Sequence, residues 1–327
     1  MKILEAILTG ITQGAMIALV SLGYTMVYGV LKLINFAHSE VFMMAAYFGL
    51  IFIALFIGDA SSVNGIFSPD DPTSAFHSLF GVFRDHPLAA AAAATILAMF
   101  GASALGVGVE RVAYRPLRGR AKGALVRVTP LVTALGMSVL LQNLAQLLFS
   151  ARFRPYPQVL KGEVHVPALG TFTTSRAVIL VAAVVVMISL ELIVKRTWFG
   201  KAMRALSANE EAARLMGIRT SRVISKTFAL GSSLAALGAV LYCLDQSQVY
   251  PTMGVVIGTR AFVAAVLGGI GSITGAMMGG LLIGVIGELV KLTDYSGGVD
   301  VLVFLVLILV LLVRPAGLLG SARAEKV

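Results

Sequence analysis

The chain has 327 residues, 58% of them hydrophobic and only 13% charged, and carries a net charge of +10. Soluble domains run nearer half apolar and about a quarter charged, so this composition excludes a soluble enzyme, a disordered tail and a disulfide-stapled secreted scaffold. The single cysteine, Cys243, has no internal partner, and the 34 glycines follow no collagen-like period. Only helices and closed barrels satisfy the backbone in lipid. Barrel strands alternate apolar and polar residues; the apolar runs here do not. The expected fold class is an all-α polytopic membrane protein.

In chain order the apolar stretches are 6–31, 36–58, 88–109, 130–150, 177–194, 227–244, 260–271, 274–292 and 299–313. A crossing needs about 20 residues. The 260–271 stretch is too short for that, and is expected as a half-helix or a re-entrant Gly-rich segment. This gives about 8–9 transmembrane helices in a single domain over 1–327. The first run follows Lys2 and Glu5 and lacks a small-residue cleavage site, so it is expected to remain as a span. Pro130 is expected to open one span and Pro315 to follow the last.

Basic residues concentrate in alternate loops. The 110–129 loop holds Arg111, Arg115, Arg118, Arg120, Lys122 and Arg127, and the 195–226 loop holds eight Lys and Arg. The 59–87 loop holds only Arg84. The positive-inside rule places 110–129, 195–226 and the C-terminus in the cytoplasm. Parity then places the N-terminus outside, if 260–271 crosses. This distribution explains the net charge without a nucleic-acid partner. The long 59–87 loop reads as an outer excursion, and 151–176, with β-branched residues and Pro, as a small outer hairpin. The Gly-interrupted segments 23–40 and 268–284 hint at pseudo-symmetry between the halves.

Enzymatic signatures are missing. Gly200-Lys201 is followed by Ala202 with no glycine five positions earlier, so there is no Walker A loop. No HExxH, paired-Cys or G-x-S-x-G pattern occurs, and His38, His77, His86 and His165 are scattered, so neither catalysis nor a metal site is expected.

Several polar groups stand out against this apolar background. Ser207 and Glu210 form an S-x-x-E capping box, predicting a helix from Ala208 to Met216 that stops at Gly217. So short a helix needs something to dock on. It is either a surface helix or one that seats in a cytosolic partner, and its apolar face would be Ala212, Leu215 and Met216. Asn35, His38 and Glu40 cluster at the break between the first two runs: a satisfied turn at the interface, or part of a gate or dimer contact. Gln142 and Gln146 share a helix face, with Asn143 beside them, for interhelical bonding or for lining a pathway. Glu191–Lys195 and Glu288–Lys291 read as structural ion pairs. Gly269, Gly271, Ser272 and Gly275 lie in a glycine run continued by Gly279, Gly280 and Gly284, and Gly10 and Gly14 repeat the spacing. The run serves close packing or a discontinuous helix whose free backbone groups meet cargo.

Glu211-Ala212-Ala213 followed by Gly217 resembles the EAA---G loop of ABC importer permeases. LGYTMVYGVLKLINFAHSEVFMMAAY, LVTALGMSVLLQNLAQLLF and YPTMGVVIGTRAFVAAVLGGIGSITGAMMGGLLIG are similar, in order, to segments of LivH-type permeases, the membrane subunits of branched-chain amino-acid importers. Ser39 departs from the glycine usual in that family. The resemblance covers nearly the whole chain and implies a bacterial inner-membrane permease working by alternating access. Residues Ser207, Glu210, Glu211, Ala212, Ala213, Leu215 and Gly217 would then couple it to an ATPase. Implied partners are a second related permease, two cytosolic ATPases holding ATP and Mg, and an extracytoplasmic solute-binding protein; no cofactor is implied on this chain itself. Branched-chain amino acids are the implied cargo, with urea or short amides as the alternative. A stand-alone secondary transporter would need ionisable groups at mid-membrane, and the middles of the apolar runs lack them.

Overall fold

The computed structural model describes residues 2–63, 81–117, 125–159, 162–166, 170–293 and 296–320. The expected hairpin tip, most of the outer loop, and Arg118, Arg120 and Lys122 lie outside these. Helices dominate: α1 Lys2–Leu31, α2 His38–Ile57, α3 Ala60–Val63, α4 Pro87–Val109, α5 Leu125–Phe149, α6 Thr174–Arg196, α7 Trp198–Ala208, α8 Glu210–Leu215, α9 Thr220–Gln246, α10 Met253–Gly268, α11 Ile273–Lys291 and α12 Val299–Val313. Among the described residues seven helices are long and apolar enough to cross a membrane, and α10 and α12 are shorter apolar helices. The all-α polytopic expectation is met, and the apolar stretches correspond to these nine.

Three boundaries differ from the sequence reading. Pro130 lies inside α5, which begins five residues earlier at Leu125. The short stretch at 260–271 is part of a 16-residue helix, α10, starting at Met253. The run Met253–Thr259 contains Gly, Thr and β-branched residues that blur the apolar signal, yet it is helical because it packs against α2. Third, α4 continues through a single π turn, Glu110–Tyr114, and a short 3-10 turn to Leu117.

Small residues set the centre of the bundle. A Cβ on Gly10 would stand 2.7 Å from Val285 Cα, and one on Gly14 2.7 Å from Leu281 Cα. A Cβ on Gly284 would stand 2.2 Å from Gly14 N. So α1 and α11 meet backbone to backbone, antiparallel, on paired GxxxG faces. The other face of α11 does the same to α10: Cβ atoms on Gly275 and Gly279 would meet the carbonyls of Gly268 and Ala264 at 2.2 and 2.1 Å. The turn between them uses Gly269 and Gly271 at φ +105° and +97°, where side chains are strained. Ser272 then caps α11, accepting from Gly275 N at 3.1 Å.

The end carrying α7, α8 and the C-terminal residues is the basic end, cytoplasmic by the charge rule. At the opposite end Asp245 gathers Arg176, Gln13 and Gln246 at 3.5, 3.2 and 2.9 Å, tying α9 to α6 and α1. The predicted hairpin there is present as β2 Glu163–Val166 antiparallel to β3 Gly170–Thr173. A second pairing joins β1 Arg154–Pro155 to β4 Gln248–Val249. It delivers Tyr156 into a slot over Gly49, whose Cβ would stand 2.5 Å from the phenol oxygen.

Candidate functional site: an interior acid and an exposed docking helix

The break after α1, readable from sequence as a turn at the interface or as part of a gate or dimer contact, leads into the protein interior. Residues 32–37 turn the chain back into the bundle, and α2 starts in the interior with His38 and Glu40 buried. His38 packs against Gly23, where a Cβ would strike the imidazole at 2.2 Å. Gly23 stands two turns before the end of α1, roughly 12 Å in from that end. Glycine at 23 therefore makes room for the imidazole, and the first turn of α2 is held at depth. His38 and Glu40 are ionisable groups buried in the first turn of α2, not at the middle of a span. The burial of Glu40 is not visible in sequence, because a polar break between two apolar runs fits a surface turn equally well.

Glu40 is 0% exposed. Its Oε1 accepts from Ser138 of α5 at 3.4 Å and from Ser39 at 3.5 Å. The departure at Ser39 is accommodated across the interface: Gly258 offers no side chain, and a Cβ there would stand 2.3 Å from Ser39 Cβ. Asn35 is spent elsewhere, its side-chain oxygen accepting from Tyr114 at 2.8 Å.

Beneath this polar level lies an aromatic layer. Tyr24 meets His38 and Phe262 with ring centroids 4.8 and 6.2 Å apart, and Phe36 meets Phe262 at 5.9 Å. One turn further toward the basic end, a cavity of about 560 Å³ opens among Tyr28, Lys32, Ser207, Gly271, Ser272 and Pro315. It brings Ser207 of the long basic loop together with Ile270, Gly271 and Ser272 of the α10–α11 turn. Gly269 is not free to meet a ligand, because it packs on the C-terminal segment, where a Cβ would stand 2.4 Å from Gly320 N. Gly275 is likewise used in packing on α10. On α5, Gln142 and Gln146 share a half-buried face, while Asn143 is exposed and donates to the Val139 carbonyl at 2.8 Å.

The long basic loop folds differently from its capping-box reading. Ser207 is inside α7 and receives Lys32 Nζ at 3.0 Å. The cap is Asn209, whose side chain accepts from Ala212 N at 3.0 Å. Asn is a strong N-cap, and its extended backbone, φ −159° and ψ 116°, separates α7 from α8. That leaves α8 only six residues long. Gly217 follows at φ +81° in open space. Ala213 is buried within the bundle, so it is not available for docking, whereas Leu215 and Met216 are 84% and 83% exposed. The structural ion pairs form as read: Lys195–Glu191 at 2.5 Å, and Lys291 with Glu288.

A bundle of apolar helices with a buried polar level, a cavity at its basic end and a short helix held out beside it defines a multi-pass membrane permease. Residues 6–312 match the family "Branched-chain amino acid transport system / permease component". The chain is 39% identical to the high-affinity branched-chain amino acid transport system permease protein LivH of Salmonella typhimurium, over 99% of this chain and 97% of that one. It is also 39% identical to BraD of Pseudomonas aeruginosa, over 99% and 98%, and 38% identical to LivH of Escherichia coli K12, over 99% and 97%. No solved structure matches the chain. The chain belongs to the branched-chain amino acid permease family.

Proposed function

We propose that this chain is the permease subunit of an ATP-binding-cassette importer in a bacterial inner membrane, moving branched-chain amino acids into the cytoplasm by alternating access. Full-length similarity to permeases named for that cargo supports it. The observation that carries the coupling mechanism is the pair Leu215 and Met216, held almost wholly in solvent on a helix too short to stand alone. Large apolar side chains presented this way favour a partner surface. The partners are two cytosolic ATPases, which hold ATP and Mg, with a second related permease and an extracytoplasmic binding protein completing the assembly.

Motion has a physical route inward. α8 joins α7 at Asn209, α7 bonds Lys32 at the end of α1 through Ser207, and the α10–α11 turn lines the same cavity. A shift of α8 on nucleotide binding displaces these walls together. The ATPase must favour one state over the other for this to do work. The test is substitution of Leu215 and Met216 by Asp. Each anchor is worth about 1–2 kcal/mol, roughly 5–30-fold in affinity, so retention of the ATPases and ATP-dependent leucine uptake should both fall while membrane insertion is unchanged. Normal uptake in the double variant would sink the coupling role.

Glu40 gives a second reading a foothold, because a secondary transporter uses such an acid for ion coupling. Uptake that follows a proton gradient and ignores ATP would favour it.

A further inference from the structure

Glu40 presents a hydrogen-bonding problem that its own chain does not solve. Both contacts to Oε1 are long, at 3.4 and 3.5 Å, and Oε2 has no hydrogen-bond partner. Ion pairs among the described residues include those of Asp245, Glu191, Asp300 and Glu288, and none there is made by Glu40. A carboxyl group this deep is costly unless something pairs with it. The space against Oε2 is kept by glycine: a Cβ on Gly254 of α10 would stand 2.8 Å from that oxygen.

The surroundings allow the space to open. α5, which brings Ser138 over the carboxyl group, is the most outward-facing of the seven long spans, with only 17% of its apolar window buried. α5 meets the site through Ser138, and further along its length Phe149 stacks on Tyr47 of α2 with ring centroids 4.1 Å apart. α2 and α10, by contrast, are buried along most of their length. The site is thus bounded by two deeply packed helices and one that is exposed along most of its length. Toward the basic end the Tyr24–Phe36–Phe262 layer separates Glu40 from the 560 Å³ cavity.

We propose that Glu40 is the acceptor for the N–H-donating end of the cargo, the α-ammonium group of an amino acid, as it passes between α2, α5 and α10. This rests on the importer reading above. An ammonium group leaving water loses its hydrogen bonds, and a carboxylate oxygen already in place returns a charge-assisted one. Ser39, on the same helix as Glu40, continues to hold Oε1, so Oε2 is the oxygen that receives the cargo. Movement of α5 uncovers the acid, and rearrangement of the aromatic layer releases the cargo toward the basic end.

The test is uptake of tritiated leucine into proteoliposomes containing the complete transporter and its binding protein. Unmutated transporter that moves no leucine would overturn the importer reading together with this inference. Given active wild type, Glu40→Gln keeps the shape and loses the charge, while Glu40→Asp keeps the charge and shortens the side chain. Uptake should fall about 10–100-fold in Glu40→Gln, the span of one charged hydrogen bond, and less in Glu40→Asp, with assembly intact in both. The reverse order would show that shape alone matters, and would overturn the assignment; so would wild-type uptake in Glu40→Gln. A measurement on unmutated protein covers variants that fail to assemble: labelling of Glu40 by a hydrophobic carbodiimide, read by peptide mass spectrometry. Leucine should protect Glu40. Labelling that is absent, or unchanged by leucine, would contradict the proposal.

Discussion

Residue identity at 209 and 207 decides where α8 begins. Both Ser207 and Asn209 are good cap residues, and the capping-box spacing favoured Ser207. Asn209 prevails because it takes the extended conformation that lets α8 leave the axis of α7, while Ser207 is held by Lys32. Asn209→Ala should cost about 1 kcal/mol locally. Amide hydrogen exchange over Glu210–Leu215 should then rise about fivefold. Ser207→Ala should leave that exchange rate unchanged. Equal effects of the two would return the cap to Ser207. Glu40 illustrates the limit of reading residues alone. Its polarity was evident in sequence, but its depth was not, because depth is set by His38 fitting against Gly23, a contact between two helices.

At the scale of elements, the spans were legible because lipid imposes length and hydropathy together. The last helix, α12, ends where the apolar run ends, at Val313. α10 was cut short because its first turns carry Gly254, Gly258 and Thr259, which lower local hydropathy while allowing contact with α2. The β1–β4 pairing was not legible, since two-residue strands leave no periodic pattern. The glycine spacings announced packing but not partners: Gly280 and Gly284 face α1, and Gly275 and Gly279 face α10. Gly284→Leu should therefore displace α1 and α11. Overpacking of this kind costs about 1–3 kcal/mol or more, and the yield of folded protein in mild detergent should fall sharply. Gly108→Ala is the contrast. It lies in α4 with nothing within 4 Å of its added methyl, and should raise stability by about 0.5–1 kcal/mol. Similar thermal unfolding of both variants would contradict the packing account.

The whole molecule combines a rigid centre with more loosely held parts. α1, α2, α9, α10 and α11 pack through small residues and bury the acid level, while α5, α6 and α12 present apolar faces outward. Those faces suit lipid and a second permease. The basic end carries α8 with its two exposed anchors, and the opposite end is fastened by Asp245 and the Tyr156 slot. This polarity, with exposed apolar side chains at one end and a closure at the other, is what the proposed import driven from the cytoplasm requires. The most direct measurement is gentle co-purification of the tagged chain from its native membrane, followed by mass spectrometry of what accompanies it. The account predicts two P-loop ATPases and a second permease, with the ATPases lost when Leu215 and Met216 are both replaced by Asp. A chain that purifies alone or only with itself, while still supporting leucine uptake, would contradict it.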